Sequence, residues 1–217
     1  MFIYNYTKKQ LQKGCIRASI AHAIMMNSYP ELSFEQLWDG FNYSIQDGEG
    51  TRGTLSFYNN YCVIAIRHDH GRVIQCKQEI LNQLFKDFPN EIIELAQSET
   101  LQYLLENVDG NITPAISIAC WCDDVGFYTN ASYEILERNG FNLLYPCFLN
   151  KDEAINYWRD YYGMNDNNVN LLEQLSFIKI DSFFREITLN EQQKKLISQK
   201  LINEECIASF NEIGIYL

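Results

Sequence analysis

Histidine and proline are scarce in this chain of 217 residues, at three and four copies. So little proline, beside 14% aromatic and 47% apolar side chains, excludes low-complexity disorder and indicates a packed core. No apolar run approaches the roughly eighteen residues of a membrane-spanning helix. The longest mainly apolar stretch, residues 115–122 with Ser117 inside it, has strand length. The first fifteen residues carry Lys8, Lys9 and Lys13 without an apolar leader core, so the cytoplasm is the expected location. Gly-x-Gly-x-x-Gly, Walker, Gly-x-Ser-x-Gly and His-Glu-x-x-His motifs are all missing. That removes most of the ground for nucleotide-dependent, serine-hydrolase or zinc-hydrolase chemistry, and no cofactor or metal is implied.

Basic residues are also short, 17 against 28 acids for a net charge of −11. A field of that sign repels phosphates, so neither nucleic acid nor an anionic membrane is an expected partner. The charge is segregated along the chain. Residues 1–30 hold four bases and no acid, while residues 31–50 hold five acids and no base. Residues 87–137 hold ten acids, again with no base.

Seven cysteines cannot close into a full disulfide set. Most sit in apolar strings such as Tyr61-Cys62-Val63-Ile64, as buried free thiols do in a reducing compartment.

Periodicity outlines an α+β chain. Residues 9–28 read as a helix, with Ile16, Ile20 and Ile24 on one face and Pro30 as its stop. Residues 41–76 read as an antiparallel β-meander: strands at 41–45, 54–57, 61–66 and 72–76, with turns at 47–50, 59–60 and 68–71. Helices follow at 78–88, 91–97 and 99–107, a buried strand at 114–122, and a helix at 132–139 closed by Gly140. Asn150 with Glu153 makes a capping box for a helix over 151–162, ended by Gly163. A strand at 176–180, a helix at 191–203 and a last strand at 213–217 complete a mixed second half. No linker or repeat interrupts the chain, which predicts a single α+β domain over 1–217 with a soft boundary near 109–113.

Two kinds of chemistry fit the residues present. Cys15 follows Gly14 near a helix start, where the macrodipole favours a thiolate. His68 or His70 offers a base, and together they would make a cysteine-dependent hydrolase. Against this, Cys15 also lies on the apolar face of its helix. His68-Asp69-His70 with Cys62 or Cys76 has metal-ligand types, yet its position before Gly71 is that of an exposed turn.

The second kind is recognition. Glu35, Trp38, Asp39, Tyr43, Asp47 and Glu49 interleave acids with aromatics, and Asp123 and Asp124 follow Trp121 in the same manner. Exposed aromatics beside carboxylates combine anchoring with electrostatic steering, and they suit a cationic protein partner.

Trp38-Asp39-Gly40-Phe41-Asn42-Tyr43-Ser44-Ile45-Gln46-Asp47, followed by Gly50-Thr51-Arg52-Gly53-Thr54, resembles a motif of immunity proteins in bacterial polymorphic-toxin systems. Residues 115–136, with Thr129-Asn130 before a helix, resemble another such group. The resemblance implies a cytoplasmic protein that neutralises a cationic toxin domain, such as a nuclease, by occlusion. It transfers no catalytic residue.

Overall fold

The structure, a computed structural model, describes residues 1–69, 78–180, 182 and 185–217. The fold is α+β. In chain order it begins with β1 (Phe2–Tyr4), α1 (Lys8–Met25), β2 (Gln36–Asp39), β3 (Asn42–Gln46), β4 (Thr51–Tyr58) and β5 (Tyr61–His68). Then come α2 (Gln78–Leu84), α3 (Asn90–Ser98), β6 (Leu105–Val108), β7 (Asn111–Pro114), β8 (Ile118–Cys122), β9 (Phe127–Thr129) and α4 (Tyr133–Arg138). The last elements are α5 (Tyr145–Phe148), α6 (Lys151–Tyr162), α7 (Asp166–Lys179), β10 (Ile187–Thr188), α8 (Glu191–Ile197), α9 (Glu204–Glu212) and β11 (Ile215–Tyr216). The chain divides into two compact units, Met1–Gln10 with Phe41–Tyr145, and Leu11–Gly40 with Pro146–Leu217.

In the first unit, six strands run in the order β1-β9-β8-β5-β4-β3, each neighbouring pair antiparallel. The meander expected from residue 41 onward is present as β3–β4–β5, and its proposed strand at 72–76 lies outside the described residues. Alternation places Val63, Ala65, Ala119 and Trp121 on one face of the sheet. There they form a core with Phe85, Phe88, Ile92, Leu95 and Leu101 from α2, α3 and the residues after them. A hydroxyl bond from Thr100 Oγ1 to Ser56 Oγ at 2.7 Å ties the single 3-10 turn after α3 to the sheet. Residues 109–113 fall in the hairpin of β6 and β7.

In the second unit, α1 is buried continuously from Gly14 to Met25. At Gly14 the close approach leaves no room for a side chain, since a Cβ would lie 1.8 Å from the carbonyl oxygen of Cys147. Asparagine starts four helices here. Asn150, Asn165, Asn190 and Asn203 each accept backbone N–H bonds at the N-terminus of α6, α7, α8 and α9. Gly163 ends α6 at φ 62.

Three element expectations are corrected. Residues 99–107 are not a helix: a 3-10 turn at Thr100–Tyr103 leads into β6, because Thr100 turns inward to reach the sheet. Residues 176–179 are the last turn of α7, which buries Leu171, Leu172, Leu175, Ser176 and Lys179 at helical spacing. The helix expected over 191–203 stops at Ile197, and α9 begins afresh after Asn203.

Candidate functional site

A two-residue turn builds one wall of the most distinctive site in the first unit. Asn59 and Asn60 connect β4 to β5, and Asn59 takes the left-handed backbone at φ 47 that asparagine tolerates. The turn leaves Tyr58 and Tyr61 as the last cross-strand pair. Phe41, whose carbonyl oxygen accepts from Phe57 N at 2.9 Å, sets its ring 5.4 Å from that of Tyr58. Opposite stands α3. Its helical spacing turns Leu95 into the core and leaves Glu91 and Glu94 at the surface, with Glu99 at its C-cap. Between the aromatic wall and the carboxylate wall lies a cavity of about 440 Å³, also touched by Asn59, Leu95 and Ser98.

The hydrogen bonds of this pocket leave its charge uncompensated. Tyr61 donates its hydroxyl to Glu91 Oε1 at 3.3 Å, and Asn42 Nδ2 donates to Glu99 Oε2 at 2.9 Å. Among the described residues none of Glu91, Glu94 and Glu99 makes an ion pair. Lys8 reaches the rim, but its Nζ donates to the carbonyl oxygen of Asn59 at 2.6 Å. Glu99 at the C-terminal end of α3 also opposes the helix macrodipole. Glu91, in the first turn of the same helix, is favoured by that dipole, so the macrodipole supports one wall acid and opposes another. Sequence reasoning placed the three acids inside an acid-only stretch but did not single them out. The Asn59-Asn60 turn and the acid surplus of residues 87–137 were the available local signals.

The residues singled out from sequence divide three ways. Glu35, Trp38 and Tyr43 are interior, at 6%, 5% and 0% exposure, so they do not form a contact face. Burial alternates along β2 with Gln36 and Trp38 inside and Leu37 and Asp39 outside, so polarity fits Trp38 and Asp39 and is reversed at Gln36 and Leu37. Asp47 and Asp123 shape turns: Asp47 Oδ1 accepts from Glu49 N and Thr51 N, and Asp123 Oδ1 from Val125 N and Gly126 N. Asp39, Glu49 and Asp124 are exposed.

Glu35 and Trp38 belong to a polar interior in the second unit. Tyr161 donates to Glu35 Oε1 at 2.9 Å and Tyr162 to Glu35 Oε2 at 3.1 Å. His22 Nδ1 stands 3.0 Å from the Tyr162 hydroxyl. That hydroxyl's one proton goes to Glu35, which assigns the imidazole hydrogen to Nδ1 and leaves His22 Nε2 a buried acceptor without a hydrogen bond. Burial lowers the His22 pKa to about 4, outweighing an opposing pull from the Ser33 backbone. Burial also raises the Tyr162 phenol above its ordinary value, with Glu35 adding to the effect. Trp38 Nε1 donates to Ser19 Oγ at 2.7 Å, and its backbone N–H to Glu212 Oε2 at 3.0 Å.

The described hydrolase residues, Cys15 and His68, fall in different compact units. Helix α1 starts at Lys8, so Cys15 lies well inside it, and its side chain is fully buried. The premise of a thiol at a helix N-terminus is thereby corrected. Cys15 belongs to the second unit and His68 to the first, where His68 Nδ1 pairs with Thr51 Oγ1 at 2.9 Å. His70 lies outside the described residues. Next to His68, burial disfavours the charge of Asp69, but Arg67 and Arg52 outweigh it and hold the carboxyl below its usual range.

Six described cysteines are buried free thiols. Burial pushes Cys120 and Cys206 up to about 12, far from nucleophilic thiolates at neutral pH. Among the described residues no three His, Cys, Asp or Glu side chains converge as a metal-ligand set, and no helix is long and apolar enough to cross a membrane. Comparison with protein-family models, curated proteins and solved structures found no match.

Proposed function

We propose that the chain is a non-enzymatic binding protein of immunity type that captures a cationic protein, such as a nuclease toxin domain, and occludes it. The capture surface is centred on the pocket between Tyr58, Tyr61, Glu91, Glu94 and Glu99. One observation carries the reading: three carboxylates without ion pairs face three aromatic rings across a cavity. A cation entering it gains both Coulomb attraction and ring-quadrupole attraction. A net charge of −11 steers a basic partner toward the protein. The reduced thiols fit the cytoplasm as the place of action. The cysteine-hydrolase alternative has a fully buried Cys15 against it.

The test is capture of purified cationic toxin domains from a panel, with growth rescue as the cellular readout. The reading expects one domain to bind, with affinity that falls as salt rises. Reversing charge with Glu91→Lys and Glu94→Lys together weakens capture at least tenfold, ~1.4 kcal/mol. Failure of every domain to bind, or binding indifferent to both salt and charge reversal, overturns it.

A further inference from the structure

We infer that the pocket is a guanidinium slot, and that the partner enters it with an arginine side chain rather than a lysine. This rests on reading the pocket as the capture site, and it adds the chemistry of the group captured.

Three features select the guanidinium. The first is the count of acceptors. Glu91 Oε1 and Glu99 Oε2 are engaged by Tyr61 and Asn42, which leaves one oxygen on each. Both oxygens of Glu94 are open among the described residues. Four open carboxylate oxygens suit the five N–H donors of a guanidinium better than the three of an ammonium. The second is the division of the walls. Rings stand on the strand side and carboxylates on the helix side, as a flat cation needs if it is to stack on one face and hydrogen-bond along its edges. An ammonium has no flat face, and it is more strongly hydrated than a guanidinium. The third is that part of the ring wall is held before binding. Tyr61 is oriented by its bond to Glu91, and the half-exposed Tyr58 ring lies 5.4 Å from that of Phe41. Less side-chain freedom is then lost on binding.

The experiment titrates the full chain with three blocked amino-acid amides, N-acetylarginine amide, N-acetyllysine amide and N-acetylcitrulline amide, following the ring resonances of Phe41, Tyr58 and Tyr61 by NMR. Citrulline keeps the shape of arginine without its charge. The expected result is saturable binding of the arginine compound, binding of the lysine compound about fivefold weaker, and none for citrulline. Glu94→Gln is expected to weaken arginine binding about tenfold, and Tyr58→Ala about threefold. Glu134→Gln, which removes the same charge from the surface of α4, leaves binding unchanged. Equal binding of the arginine and lysine compounds overturns the guanidinium assignment while leaving the capture of a basic partner intact. No binding by a chain whose spectrum shows it folded also overturns it, whether or not a toxin domain is captured elsewhere. Selective arginine binding with no toxin domain captured upholds the slot and overturns the neutralising role.

Discussion

At His22 the fold removes an imidazole from water and returns one side-chain hydrogen bond, to the hydroxyl of Tyr162. Nε2 makes no hydrogen bond, so a second proton there gains little, the neutral ring is favoured and the pKa falls from 6.5 to about 4. A tenfold change in proton affinity corresponds to about 1.4 kcal/mol, so the whole fall is worth about 3 kcal/mol. The unfolded chain takes up the proton first, near pH 6.5. This contribution is therefore complete above that pH, is lost as pH falls toward about 4, and is flat below. Urea unfolding at pH 7 and pH 5 should show the native chain losing about 2 kcal/mol more than a His22→Gln variant, whose carboxylates titrate alike. Equal losses in the two chains would remove His22 as the cause. None of this was legible locally: His22 lies in an apolar helical run, and its partner is 140 residues away.

Among elements, α1 and α5 approach closely at Gly14 and Cys147. Alanine at position 14 would gain about 1 kcal/mol of helix propensity. Overpacking costs about 1–3 kcal/mol, and a backbone oxygen at 1.8 Å has little freedom to move aside. The clash wins, and Gly14→Ala is expected to destabilise by about 2 kcal/mol in chemical denaturation, with an unchanged or raised stability counting against the close approach. Elements closed by local chemistry were readable in advance. Asn150 and Gly163 bound α6 at the expected residues, and Ser132 and Gly140 bracket α4. The same asparagine signal at 165, 190 and 203 would have found the starts of α7, α8 and α9. Residues 176–179 read as a strand because Phe177 and Ile178 look β-like, yet Phe177 is 85% exposed on a helix whose spacing was set upstream. The candidate site was half legible. Its acid surplus and the Asn59-Asn60 turn are local facts, whereas the facing of β4 and β5 toward α3 is decided by long-range packing. Trp38 misled for the same reason: acidic neighbours suggested exposure, while Ser19 and Glu212 supply the indole and backbone with interior partners.

At the scale of the molecule, connectivity matters more than size. The second unit is made of Leu11–Gly40 and Pro146–Leu217, so its contacts wait for the whole of residues 41–145 to be looped out. Closing a long loop carries an entropic cost that a compact intervening segment reduces. Refolding should therefore restore the first unit before the second. Trp121 reports on the first, and Trp38 with Trp158 on the second. Stopped-flow fluorescence of a Trp121→Phe chain should recover later than that of a Trp38→Phe, Trp158→Phe chain. The reverse order would show that the second unit nucleates without a shortened loop.

The continuous burial of α1 has a consequence for the newborn chain. During synthesis this helix leaves the ribosome well before the residues from 146 onward that complete its unit. Until those residues emerge its isoleucines face water or whatever hydrophobic surface is near, which makes the stretch from Cys15 to Met26 the natural place for a chaperone to hold the nascent protein.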